Sequence, residues 1–96
     1  MYARLIMFTL GPNKRFLAEM IADRCNGMVR KLKGFNNIIY LMDDAAGEYG
    51  ALTLWESKED AEAAIQIVYP RVRRTLDDYV QVTPDIRLFE VYEPTI

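Results

Sequence analysis

The sequence predicts an α+β fold with the element order β-α-β-β-α-β, and three observations lead to this prediction. Four short runs are dense in aliphatic and aromatic residues, whereas two longer stretches carry apolar residues at helical spacing. The change from strand to helix is clearest after Trp55, where Ser57 is a candidate N-cap and the acidic Asp60 follows three residues later. At 96 residues, the chain has room for one domain, residues 1–96.

Composition is typical of a globular protein and argues against several functions. Hydrophobic residues make up 51% of the chain and charged residues 27%. The net charge of −2 favours neither nucleic acid nor an anionic membrane as a partner. The chain has no His, the commonest metal ligand and general base, and we expect neither a metal nor another cofactor. A lone Cys25 and the absence of a targeting segment favour a cytoplasmic location.

The first part of the chain predicts a strand and a helix. Strand one is predicted over Tyr2–Leu10, and Gly11–Asn13 ends it, with Asn13 as a candidate cap for the helix that follows. This helix runs to about Lys33, and Gly34 supplies the left-handed residue after it. The apolar stripe of the helix consists of Leu17, Ile21, Cys25, Met28 and Leu32.

The second part predicts a hairpin, a helix and a final strand. Strand two is predicted over Ile38–Met42 and strand three over Glu48–Trp55, with an acidic loop between them. The second helix covers approximately Lys58–Tyr69, and Pro70 kinks or restarts it because proline lacks an N–H and clashes with the preceding turn. Strand four is predicted over Ile86–Tyr92. This is the ferredoxin-like order, which gives a four-stranded antiparallel sheet with both helices on one face.

The strands are apolar on both faces, which predicts a homodimer. In strand two, Ile38, Tyr40 and Met42 face one side, while Ile39 and Leu41 face the other. Two helices cover one face only, so the other would expose a larger apolar patch than soluble monomers usually do. Pairing two sheets about 10 Å apart buries these faces in a dimeric α/β barrel. The alternative is that the bare sheet binds a different partner.

Several segments together form a family pattern. They are Gly34-Phe35, Tyr40, the polar hairpin loop, Trp55-Glu56-Ser57 before an acidic Ala-rich helix, and the tail Phe89–Pro94. The combination, which covers nearly the whole chain through its element order, resembles the antibiotic-biosynthesis-monooxygenase type of dimeric α/β barrel. The resemblance implies a pocket between helices and sheet. It also implies, in one branch, cofactor-independent oxidation of a phenolic substrate surrounded by Asn, Trp, Tyr and Arg.

A second branch of that superfamily degrades haem with a His ligand and an Asn on the first strand. This chain has no His, and Tyr2–Leu10 contains no Asn, so haem degradation is not expected. The position that the resemblance transfers is Trp55. Its ring would form a pocket wall and its indole N–H would donate to a ligand oxygen, whereas the structural interpretation is a core Trp on helix two.

The remaining candidates each have a structural alternative. Arg74 would stabilise a phenolate or enolate if it points inward, or would lie on a solvated face with Asp77 and Asp78. Asn37 would orient a carbonyl or dioxygen, or would satisfy loop backbone. The candidate catalytic residues are Trp55, Tyr40, Arg74 and Asn37. The candidate ligand-binding residues are Trp55, Tyr69 and Phe8.

Two further features have structural interpretations. Cys25 lies on the apolar stripe and is expected to be a buried thiol rather than a nucleophile. The acidic hairpin of Asp43, Asp44 and Glu48 matches no metal-binding loop, so its charges are expected to be solvated.

Two functions remain as hypotheses. The first is a cofactor-independent monooxygenase acting on a small hydrophobic or aromatic molecule, whose phenol or enol loses a proton and then reduces dioxygen directly. The second is a non-catalytic, ligand-binding or stress-associated dimer of the same architecture. An RNA-recognition domain with this element order is not supported, because strand three lacks the basic-Gly-aromatic pattern that such a surface needs.

Overall fold

The computed structural model describes residues 1–77 and 83–95, without the side chain of Asp77. In this part of the chain the predicted order of four strands and two helices is confirmed. The elements are β1 Tyr2–Thr9, α1 Arg15–Val29, β2 Phe35–Asp43, β3 Glu48–Trp55, α2 Lys58–Asp77 and β4 Asp85–Glu90. No helix among the described residues is long and apolar enough to cross a membrane.

The strands form one antiparallel sheet in the order β2-β3-β1-β4, which is the ferredoxin-like arrangement. The register places Arg4 opposite Thr53 and Phe8 opposite Tyr49. On the other side of β3, Tyr40 lies opposite Ala51. Since alternate residues of a strand share a face, these side chains all point toward the helices. The register therefore decides which side chains meet inside the protein.

The start of α1 differs from the prediction. Asn13 has a positive φ of 60° and precedes the helix, while Lys14 occupies the N-cap position without a side-chain cap. The prediction that Asn13 caps α1 is therefore wrong. The Asn13 backbone N–H instead donates to the carbonyl oxygen of Asp44, at 3.2 Å. Asn13 thus joins the entry to α1 to the β2–β3 hairpin, a contact that local sequence does not reveal.

The end of α1 also differs from the prediction. The helix ends at Val29 rather than near Lys33, and tighter turns follow, in which the N–H groups of Lys31 and Leu32 bond to carbonyls three residues earlier. Gly34 has a φ of 80°, in the left-handed region as predicted. It follows these turns rather than the helix itself.

Helix α2 begins as predicted but continues further. The Ser57 hydroxyl accepts a hydrogen bond from the Asp60 N–H at 3.0 Å, which confirms the N-cap. The helix continues through Pro70 to Asp77, so the predicted end near Tyr69 and the restart at Pro70 are wrong. Pro70 is exposed, while Val72 and Leu76 beyond it are buried. Their burial offsets the cost of about 3 kcal/mol that proline imposes inside a helix.

The core lies between the helices and the sheet, and no helix in the described part of the chain covers the opposite face of the sheet. Trp55 and Tyr49 are each only 2% exposed in the core. The register and strand alternation give the helix-free face a set of mainly apolar side chains. We call this surface the open face, and its large apolar residues are Leu5, Met7, Ile39, Leu41, Leu52, Leu54 and Phe89.

Candidate functional site

An apolar cavity of about 100 Å³ lies between the helices and the helix-facing side of the sheet. Its wall is formed mainly by aliphatic and aromatic side chains from β1, β2, β3 and both helices. Prominent among them are Ile6, Phe8, Ile21, Val29, Ile38, Ala64, Val68 and Val72. Apolar cavities of this general size stay dry and accept small apolar molecules, as a cavity of about 150 Å³ accepts benzene. The fold therefore provides an internal site for a small ligand.

Arg4 is the only charged side chain among the described residues that line this cavity. It lies on β1 next to Thr53, and its Nε is buried without a hydrogen-bond partner. Burial lowers the pKa of the Arg4 guanidinium, and Glu62 on α2 acts in the opposite direction. A guanidinium nevertheless stays protonated at neutral pH. Arg4 therefore brings a positive charge to the wall of a mainly apolar site.

Sequence reasoning did not select Arg4 as a site residue, although the chain contains a signal for it. Strand alternation places Arg4 on the same side as Ile6 and Phe8, both of which face the core. Burying a charged residue on the apolar side of a strand costs free energy unless the charge is paired. An unpaired one is therefore expected mainly where a function requires it. A single arginine among the core-facing residues of β1 is therefore the sequence signal that indicates Arg4 as a site residue.

Trp55 lines the cavity and is held rigidly from two sides. Its ring meets the ring of Phe35 edge to face, with centroids 5.9 Å apart and planes at 79°. Its indole N–H donates to the Thr53 hydroxyl oxygen at 2.8 Å. The expected donation from the indole to a ligand oxygen is therefore not available in this arrangement, because Thr53 already accepts that hydrogen bond. The ring remains as a wall of the cavity.

Tyr40 lies between the cavity and a groove on the protein surface. It lines both spaces, and the groove also contains Glu19, Asp23 and Asn26. The Tyr40 hydroxyl donates to Oδ1 of Asn26 at 2.8 Å. Burial raises the pKa of Tyr40, so its phenol stays neutral near pH 7 and acts as a hydrogen-bonding group rather than as a base.

Tyr49 anchors the hairpin loop beneath the cavity. Its hydroxyl accepts from the backbone N–H of Lys14 at 3.0 Å and donates to Oδ1 of Asp44 at 2.9 Å. Arg15 Nε donates to the other Asp44 oxygen at 3.0 Å. Hydrogen bonds from Tyr49 and Arg15 lower the pKa of Asp44. This part of the acidic hairpin is thus a structural network, and the described residues contain no His/Cys/Asp/Glu group suited to a metal ion.

The other predicted site residues are divided between the cavity and the surface. Phe8 is buried and lines the cavity, whereas Tyr69 is half-buried and is not part of the lining. Asn37 is exposed, and its side-chain oxygen accepts from the Ile38 N–H at 2.9 Å, as the loop interpretation expects. Arg74 is exposed on α2, and its expected pairing with Asp77 and Asp78 lies outside the described side chains. The structure thus brings together Trp55, Tyr40 and Phe8 but leaves Asn37, Tyr69 and Arg74 outside the cavity lining.

Cys25 lies in the cavity wall and is buried, as its place on the apolar stripe predicts. Burial raises the pKa of the Cys25 thiol, and the positive charges of Arg71 and Arg24 oppose this effect. A thiol with a raised pKa stays neutral at pH 7 and is a poor nucleophile. Cys25 therefore contributes packing to the cavity.

Comparison with known proteins supports the fold assignment. Neither a protein-family model nor a curated protein sequence matches the chain. Among solved structures, an inferred antibiotic biosynthesis monooxygenase from Nitrosomonas europaea superposes with a TM-score of 0.79 at 14% identity, over 97% of this chain and 100% of that one. SnoaB, a cofactor-independent oxygenase from Streptomyces nogalater, gives 0.74 at 18% identity, over 97% and 94% of the two chains.

A third neighbour was solved with a ligand. It is the ActVA-Orf6 monooxygenase of Streptomyces coelicolor in complex with nanaomycin D, with a TM-score of 0.71 at 13% identity, over 99% of this chain and 90% of that one. At these identities the likeness establishes the fold. The chain thus has the ferredoxin-like α+β fold of the antibiotic biosynthesis monooxygenase-like proteins, as the sequence resemblance implied.

Proposed function

We propose that this protein is a cofactor-independent monooxygenase that oxidises a small aromatic phenol or enol. The observation that carries the proposal is the apolar cavity with Arg4 as the charged residue among its described lining residues. The likeness in fold to SnoaB, a cofactor-independent oxygenase, supports the reaction class.

The proposed reaction begins with loss of the phenolic or enolic proton. The resulting anion is electron-rich and transfers electrons directly to dioxygen. A ring C–H becomes a carbonyl that contains one oxygen atom of O₂, and the second oxygen atom leaves as water with the two released hydrogens. The substrate provides all the electrons, so the stoichiometry needs no external reductant.

The chain's own residues have two roles in this reaction. The Arg4 guanidinium stabilises the substrate anion, since charge interactions are much stronger in an apolar site than in water. The rings of Trp55 and Phe8 hold the substrate and exclude water. The described residues that line the cavity include no carboxylate and no His. The substrate's own acidity, increased by Arg4, must therefore produce the anion.

Oxygen uptake with a panel of electron-rich phenols and anthrones tests the proposal. Because Arg4 stabilises the anion, we expect Arg4→Met to reduce uptake by on the order of 10-fold or more, and Trp55→Phe to reduce it less. Arg74→Met is the informative comparison, because Arg74 is an exposed arginine on α2. Loss of oxygen uptake in Arg74→Met but not in Arg4→Met would indicate that Arg74, rather than Arg4, stabilises the substrate anion. No uptake by the unmodified protein across the panel would contradict the proposal.

A non-catalytic, ligand-binding or stress-associated dimer is the second candidate. Two observations favour it: the described lining residues include no carboxylate or His that could act as a general base, and the Trp55 N–H donates to Thr53. Ligand binding without oxygen uptake or product formation would decide for this alternative.

We also propose that the protein acts as a homodimer formed through the open face. Ile39 and Phe89 of this face are 46% and 41% exposed. Ile39 lies opposite the apolar Leu52, while the Arg87 guanidinium lies over the Phe89 ring, 4.8 Å from its centroid. Covering this surface with a second copy would bury the patch that the helices leave uncovered. A cytoplasmic location is part of the same proposal, which the free thiol of Cys25 supports.

A further inference from the structure

We propose that the surface groove beside Tyr40 is the entrance to the internal cavity, and that the hydrogen bond from Tyr40 to Asn26 keeps this entrance closed. The molecules that pass are small and apolar, in keeping with the mainly apolar lining of the cavity. The inference rests on the cavity and not on the proposed oxidation, because the passage of a molecule needs no dioxygen.

The groove and the cavity share part of one wall. Three residues line both spaces: Ala22 from α1, and Tyr40 and Met42 from β2. All three are half-buried, whereas Glu19 and Asp23, which line the groove alone, are exposed. The groove is therefore open to solvent on one side and ends on the other at side chains that also bound the cavity.

The groove has room for a single-ring molecule. Its volume of about 350 Å³ exceeds the roughly 150 Å³ that accommodates benzene. Gly27 forms an exposed part of its wall, and a Cβ added at this position would meet no described atom within 4 Å. A small apolar molecule therefore reaches the shared wall from solvent before any side chain moves.

Two of the three shared residues have side chains that move without a change in the backbone. Ala22 is fixed to α1 and has only a methyl group. Tyr40 and Met42 are longer, and because they lie two residues apart on β2 they point to the same side of the sheet. The unbranched Met42 side chain adapts readily to its surroundings. Rotation of Tyr40, with adjustment of Met42, would join the groove to the cavity.

A single hydroxyl contact connects Tyr40 to the opposite side of the entrance. The Tyr40 hydroxyl on β2 donates to Oδ1 of Asn26 on α1, at 2.8 Å. Asn26 lines the groove but is not among the described residues that line the cavity. A neutral hydrogen bond contributes only modestly to stability, because water takes the place of the lost partner when it breaks. The contact therefore favours the closed entrance and still permits thermal opening.

Exchange of fluorobenzene, followed by fluorine NMR line shapes without dioxygen, tests the inference because it gives the association and dissociation rate constants. Asn26→Leu keeps the size of the side chain and removes the acceptor, so we expect both rate constants to rise on the order of 5-fold with an unchanged Kd. Asn26→Asp, which retains an acceptor oxygen, should exchange close to the unmodified rate. Gly27→Leu places a side chain in the groove and should lower both rate constants by a common factor. Arg24→Leu, at an exposed position of α1 outside the groove lining, is the matched control and should change neither.

Several results would overturn the inference. These are unchanged rate constants in Asn26→Leu or in Gly27→Leu, an altered Kd with an unchanged association rate constant, and no binding of fluorobenzene to the unmodified protein. The expected rate changes without oxygen uptake from any phenol would support the inference and contradict the proposed function. Oxygen uptake together with exchange that is independent of both positions would support the proposed function and overturn the inference.

Discussion

At the scale of single residues, Arg4 is the least typical feature of this protein. A buried N–H without a partner costs about 1–3 kcal/mol, so a chain under selection for stability alone would not keep it. Proteins tolerate such groups where activity or binding requires them. Arg4 therefore connects the stability of the protein directly to its proposed site.

This connection gives a stability prediction. Arg4→Met keeps a long side chain but removes the charge and the unpaired N–H, so we expect it to raise the free energy of unfolding by about 1 kcal/mol. Urea denaturation followed by circular dichroism measures the change. Arg24→Met, which changes an exposed arginine on α1, is the matched control and should have little effect. A less stable Arg4→Met protein would show that Arg4 has a structural role.

Asp44 gives a prediction about pH. Its folded-state pKa lies below the unfolded value of about 3.9, because Tyr49 and Arg15 donate hydrogen bonds to the carboxylate. The stability from this group is therefore fully present above the unfolded pKa and is lost as pH falls through the folded pKa. We expect Asp44→Asn to be less stable than the unmodified protein at pH 7, with the difference shrinking toward pH 2.

Thermal unfolding across this pH range measures the effect of Asp44→Asn. Glu48→Gln, which changes an exposed carboxylate in the same hairpin, serves as the control and should not reproduce the pH-dependent difference. A constant difference between Asp44→Asn and the unmodified protein at all pH values would contradict the expected linkage.

At the scale of elements, the two helices depart from local rules where tertiary contacts compensate. Helix α2 continues through Pro70, because Val72 and Leu76, which follow Pro70 in the helix, are buried in the core. Helix α1 begins without a side-chain cap, since the Asn13 backbone bonds instead to the β2–β3 hairpin. Local sequence signals therefore fail at positions where another element provides the missing stabilisation.

Two glycines near α1 allow a paired prediction. Gly27 is inside the helix and exposed, and an added Cβ would meet no atom within 4 Å, so Gly27→Ala should raise stability by about 0.5–1 kcal/mol. Gly34 has a φ of +80°, and an added Cβ would collide with the Asp60 side chain. Gly34→Ala should therefore lower stability by about 1–2 kcal/mol or more. Chemical denaturation of both variants measures the contrast, and effects of the same sign would contradict this account.

At the scale of the whole molecule, the open face leads to a prediction about assembly. We expect the protein to be a dimer in solution and Ile39→Glu to shift it toward a monomer, because a charge would be buried in the proposed interface. Ile67→Glu on α2 is a matched control, since Ile67 is 48% exposed and Ile39 is 46% exposed. Light scattering after size exclusion measures the mass. A monomeric unmodified protein, or equal effects of the two substitutions, would contradict the proposed interface.

Much of the fold was predictable because its signals are local and periodic. Strand β3 was predicted over its observed range, Glu48–Trp55, and the Ser57 cap was predicted at its observed position. The order of elements follows from the alternation of short, densely apolar runs with longer stretches that carry apolar residues at helical spacing. Errors occurred at element ends and at Pro70, where long-range contacts outweigh local preference.

The candidate site was predictable only in part. Trp55, Tyr40 and Phe8 lie in the cavity wall, but the sequence does not show that the Trp55 N–H bonds to Thr53 or that Arg74 is exposed. These facts depend on strand register and helix orientation, which bring residues that are distant in the chain into contact. The amino-acid order alone therefore determined the succession of elements and the two apolar faces of the sheet. Only the tertiary structure placed Arg4 in the cavity without a partner for Nε, because a partner is provided or withheld by packing between elements rather than by neighbours in the chain.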